Sequence, residues 1–314
     1  MIISASRRYV LTALLMVGPG PTGAEAQTES AHRPDQDVFP VRCGAAIHVD
    51  ERPGWIPLPQ GGLFCPLVGD PKAERSFASY LRGDFATIAL PDADPKTNIA
   101  AVGLGDSFGL LRVGSARIGD GVQLDLMGAI FAQFDLDRPS FDLINADYII
   151  GLPVTLRFSG FSARARLYHQ SSHLGDEFLL SRLPERENLS FESVELILSQ
   201  ELGALRVYAG GESFFRRRPL EVVSRLAHGG VELRPAQFGA GRVVAALDVK
   251  VVEAADWEWA WSGRAGIEIA RVPSAGHPPR VLSLLGEYYD GPAPYGQFYR
   301  ENIRYFGAGL HFWF

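Results

Sequence analysis

The feature that most constrains this chain is a strict two-residue alternation, held over stretches longer than a globular strand. From Trp257 to Ile269, Trp257, Trp259, Trp261, Ala265, Ile267 and Ile269 fall on one face, while Glu258, Ser262, Arg264 and Glu268 fall on the other. Val243 to Val251 alternates against Arg242, Asp248 and Lys250, and Val122 to Phe134 against Gln123, Asp125 and Gln133. Strands in globular proteins average about 5 or 6 residues, whereas a tilted strand needs about 9 to 11 to cross a bilayer. Successive side chains of a strand point to opposite sides, so an apolar face beside a charged one suits a wall between lipid and lumen. The last segment behaves the same way: Phe306, Ala308, Leu310, Phe312 and Phe314 alternate to the end of the chain. The expected fold is all-β, a transmembrane antiparallel β-barrel with an irregular N-terminal arm.

Such segments fall at about 98–106, 107–114, 121–135, 143–157, 159–171, 187–199, 203–215, 224–234, 241–253, 257–270, 279–290 and 301–314. They make about 12 strands, an even number as in bacterial barrels, with ten or fourteen as the alternatives. The expected organisation is a signal peptide over 1–26, the arm over 27–95 and the barrel over 96–314. Arg7 and Arg8, the apolar run Tyr9 to Val17 and the small residues Ala24 and Ala26 have the order of an export signal. That run is far shorter than the roughly 20 residues of a spanning helix. Ser6-Arg7-Arg8-Tyr9 also fits a twin-arginine signal, so both export routes stay open.

The arm carries eight of the prolines between Pro40 and Pro95 and both cysteines, Cys43 and Cys65. In an oxidising periplasm the pair reads as one disulfide closing a loop. The arm either stays periplasmic or plugs the barrel. The charges on the hidden face, among them Arg164, Arg166, Glu212, Glu232, Arg234, Asp248, Lys250, Glu258, Arg264, Glu268 and Glu287, have mixed sign and are expected to pair within a narrow lumen. Trp257, Trp259, Trp313, Tyr288, Tyr289, Tyr295 and Tyr299 are candidates for the aromatic girdles. A formal net charge of −6 argues against a nucleic-acid partner.

One segment carries chemistry. In Phe161 to His173 the alternation groups Phe161, Ala163, Ala165, Leu167, His169 and Ser171 on the lipid side, with Arg164, Arg166 and Gln170 on the lumen side. A Ser–His pair on the outside of a barrel meets lipid esters laterally, with His169 taking the proton from Ser171 as its oxygen attacks a carbonyl. The acids Asp176 and Glu177, with His173, form either a calcium-type cluster or an ordinary solvated loop. The plain alternative for His169 and Ser171 is the polar rim of a strand.

The His169-x-Ser171 strand, followed by a loop and Asn188, resembles outer-membrane phospholipase A. That resemblance implies His169 as base, Ser171 as nucleophile and Asn188 as the group that orients the imidazole. It also implies membrane lipids as substrate, calcium near Asp176 and Glu177, and a homodimer. Lipid A deacylases are similar but use an acidic orienter. Ser172 stands where these families favour asparagine, and the loop to Asn188 is longer than in the phospholipases. Over the whole chain, Phe134 to Tyr148, His169 to Glu177, Glu287 to Gly291 and Gly296 to Tyr299 resemble an uncharacterised family of bacterial outer-membrane proteins, known only as a domain of unknown function. The terminal alternation resembles the signal by which outer-membrane barrels engage their assembly machinery. Together these imply the bacterial outer membrane as the location. Two functional readings remain: a lipid acyl hydrolase, and a non-catalytic structural, binding or small-solute barrel.

Overall fold

A computed structural model describes residues 53–85, 96–115, 119–182, 188–220, 225–235, 237–270 and 281–313. The export signal, Cys43 and Phe314 lie outside the described residues; Cys65 is disulfide-bonded. Of the chain's two compact units, Met1–Gln36 contains no described residue, and everything below concerns Asp37–Phe314.

Twelve antiparallel strands close into a barrel: β2 (Ser76–Asp84), β3 (Lys96–Gly114), β4 (Gly121–Asp135), β5 (Asp142–Phe158), β6 (Phe161–Leu174), β7 (Leu189–Leu202), β8 (Leu205–Arg218), β9 (Arg225–Leu233), β10 (Gly241–Val252), β11 (Glu258–Ala270), β12 (Val281–Pro292) and β13 (Asn302–Trp313). Each pairs with its sequence neighbour, and β13 returns to β2 to close the ring. A short strand β1 (Gly54–Pro57) pairs with the end of β3 from Leu111 to Gly114. Closure matters because lipid offers no hydrogen-bond partner to a sheet edge.

The expected number, twelve, is therefore present, but it was assembled differently. The two segments at 98–106 and 107–114 are one strand, β3, whose irregularity falls between Gly109 and Leu111. The remaining strand is β2, which lies within the stretch read from sequence as arm.

The alternation sorts the wall as anticipated. On β5, Tyr148, Ile150, Leu152, Val154, Leu156 and Phe158 are exposed, while the residues between them are buried. Trp257, Trp259 and Trp261 face outward as well. Tyr289, Tyr295 and Tyr299, expected in a girdle, are instead buried inside, and Glu258 is exposed on the rim, where it accepts from Asn302 Nδ2 at 2.7 Å.

The lumen is filled by the chain itself. Residues 58–75 leave β1, pass through the barrel interior and lead into β2. Leu63 and Leu67 are fully buried, and the wall's ionic side chains clamp the backbone around them. Glu232 accepts from Val68 N at 2.6 Å, Ser262 donates to Gly69 O at 2.6 Å, and Arg206 donates to Cys65 O at 3.2 Å. Side chains of the plug join the same network: Lys250 reaches Asp70 at 2.7 Å, and Glu74 receives Arg164 at 2.9 Å and also Arg166. Gly69 sits so close to the wall that a Cβ would stand 2.9 Å from the Cβ of Asp248. Of the two places the arm was expected to occupy, this part of it takes the lumen.

Candidate functional site on the lipid-facing surface

His169 and Ser171 lie on β6 where the alternation sends side chains outward, between the buried Tyr168, Gln170 and Ser172. Two residues along one face of a strand are roughly 6.7 Å apart at Cα. No hydrogen bond joins His169 to Ser171 among the described residues.

The antiparallel register decides who stands beside them. His169 is opposite Glu192 on β7, and Ser171 is opposite Ser190. Glu192 Oε1 lies 3.4 Å from His169 Nδ1, with the two side chains 29% and 44% exposed. The Glu192 carboxylate thus flanks the imidazole on its Nδ1 side. Asn188 is exposed one residue before β7 and makes no hydrogen bond to His169. Glu192 holds the place beside Nδ1 that the phospholipase resemblance gave to Asn188.

Glu192 was missed because the loop between the strands hides the register. A signal was nonetheless present, since Ser190, Glu192, Val194, Leu196 and Leu198 share one parity, and an acid heads an otherwise apolar lipid face. Charged residues on that face are costly, so Glu192 is anomalous in the same way as His169.

The remaining candidates lie on the rim. The segment after β6 forms a short helix, α1 (Asp176–Arg182), rather than an irregular loop. Phe178 anchors it by packing edge-on against Phe298 at 5.9 Å, and Gly175 N donates to Ile144 O at 2.9 Å. Asp176 and Glu177 occupy its first turn and point to solvent. Among the described residues no group of three or more His, Cys, Asp or Glu side chains gathers to hold a metal. Calcium takes six to eight oxygen ligands, and among the described residues Asp176 and Glu177 are not joined by a third His, Cys, Asp or Glu side chain.

Residues 24–314 match the family described as Protein of unknown function (DUF1207). The chain belongs to that family. No curated protein matches this DUF1207 sequence. Among solved structures, outer membrane phospholipase A from Escherichia coli is similar over 76% of this chain and 92% of its own, at 15% identity and a TM-score of 0.49. The Salmonella typhi outer membrane phospholipase, a dimer with bound calcium, is similar over 76% and 90%, at 13% identity and a TM-score of 0.50. OprB of Pseudomonas putida is similar over 76% and 92%, at 8% identity and a TM-score of 0.33. Identities this low speak to fold and not to chemistry. The DUF1207 chain is an outer-membrane-type β-barrel resembling the phospholipase barrel.

Proposed function

We propose that this protein resides in the bacterial outer membrane and hydrolyses ester bonds of membrane lipids at the outward pair His169 and Ser171, with Glu192 as the supporting acid. The observation that carries the reading is the Glu192 carboxylate 3.4 Å from His169 Nδ1 on the lipid-facing wall, beside a serine on the same face. Neither residue packs the core or holds the plug. In the reaction, Ser171 Oγ attacks the ester carbonyl while His169 Nε2 takes its proton. The histidine then returns that proton to the departing alcohol, and water releases the fatty acid by the same steps in reverse order. Glu192 holds the imidazole orientation and balances its charge. The plugged lumen supports a site on the outside rather than a pore.

The similar Salmonella typhi phospholipase is a dimer with bound calcium. A homodimer and insertion by the barrel assembly machinery belong to this reading. Calcium has no gathered ligand set among the described residues. The second reading, a non-catalytic barrel, is favoured by the missing His169–Ser171 hydrogen bond.

The test is fatty-acid release from phospholipid and from lipid A by the refolded protein. Ser171→Ala and His169→Ala are each expected to lower it by about a hundredfold or more. Release from neither lipid, or equal release by Ser171→Ala, overturns the hydrolase.

A further inference from the structure

Two neighbouring outward rows cross strands β3 to β6 in register. The first runs Asp106, Gly128, Ile150, His169, and the second Leu104, Ile130, Tyr148, Ser171. A depression lies along these rows, lined by residues of both together with Phe108 and Leu126. His169 and Ser171 thus face each other across one end of a furrow whose remaining banks are mostly apolar.

Two residues in the first row depart from what a lipid-facing wall needs. Gly128 lies between Leu126 and Ile130, both exposed, yet packing does not demand a glycine there. A Cβ would meet nothing closer than Ile149 O at 4.0 Å. Its consequence is a notch in the outer surface. Asp106, at the far end, places a carboxylate on the lipid-facing side, where charge is destabilising; it accepts from Ser107 N at 2.8 Å. Three interstrand steps separate it from His169, about 14 Å.

Resting on the hydrolase reading, we infer that this furrow binds the acyl chain of the lipid substrate and that Asp106 limits the chain length. With the ester carbonyl at Ser171, the chain runs over the Gly128 notch toward β3. A chain reaching past the notch must lie against the Asp106 carboxylate in place of a polar neighbour, which is unfavourable for a charged group. The two positions therefore have opposite effects: a side chain at 128 shortens the site, and loss of the charge at 106 lengthens it.

The experiment compares alkyl phosphonofluoridates carrying a butyl or a hexadecyl chain on the refolded full chain, with Ser171 modification followed by intact mass. The serine oxygen displaces fluoride, forming an Oγ–P bond and releasing HF. In Gly128→Leu the ratio of hexadecyl to butyl rate is expected to fall about tenfold, the equivalent of roughly two methylenes losing their contact. In Asp106→Leu the ratio is expected to rise. If neither variant moves the ratio while Ser171 is still labelled, the furrow is not the acyl site and the hydrolase reading survives. If neither probe labels Ser171 in the natural protein, both fall together. Heat-modifiable gel mobility of each variant confirms that the barrel being compared is folded.

Discussion

The two faces of β6 carry polar groups under opposite rules. Inward, Arg164 and Arg166 are buried and each is matched: both bind Glu74 of the plug and Glu195 of β7. Outward, His169 and Ser171 stand in the lipid-facing set, and among the described residues their ionic neighbour is the partly exposed Glu192. The inner charges are required because a buried ion without its partner is strongly destabilising. They also hold the plug, whose backbone is bonded by Arg206 at Cys65, by Glu232 at Val68 and by the Ser262 hydroxyl at Gly69. Among the described residues the outer group takes no part in the inner ion pairs or the core cluster. Polar residues that oppose their environment without helping the fold are where function is expected.

Three measurements test this contrast. The largest effect belongs to the plug: Glu74→Ala removes the carboxylate shared by Arg164 and Arg166 and is expected to cost about 3 kcal/mol or more. Urea unfolding in detergent reads this, and an unchanged midpoint would mean that the inner ion pairs do not hold the plug. Next is the lipid face itself. Leu152→Lys puts a charge among the exposed apolar residues of β5, and the expected loss is about 2 kcal/mol. An unaffected vesicle-folded protein would show that β5 does not face hydrocarbon. The smallest stability effect is expected for Glu192→Gln, under about 1 kcal/mol because the pair is partly exposed. That variant should lose lipid hydrolysis while keeping its fold. A stability loss as large as that of Glu74→Ala would make Glu192 a structural residue.

Much of the wall was legible because side-chain alternation is a property of the strand backbone alone. It separated Arg164 and Arg166 from His169 and Ser171 without knowledge of any partner. It failed where local polarity misled. Asp106 and Ser107 interrupt the apolar residues at the place where β3 was divided into two segments. In β2 the pattern is inverted, with Phe77 and Leu81 buried inward while Tyr80 and Arg82 face out. That inversion is possible because this part of the interior is a packed core, where Phe77 meets Phe131 at 6.2 Å, and not a water-filled channel. The same core explains why Tyr289, Tyr295 and Tyr299 are inside.

Alternation along the chain was thus enough for the class of fold, for the faces of most strands and for the outward placement of His169 and Ser171. Each of these follows from a two-residue period that no distant contact can alter. Tertiary structure alone decided that residues 58–75 fill the lumen, that Glu192 and not Asn188 stands against His169, and that Gly128 and Asp106 line up with it. Those are questions of register and enclosure. They depend on how far each loop carries the chain before pairing resumes and on which groups the closed barrel brings within bonding distance.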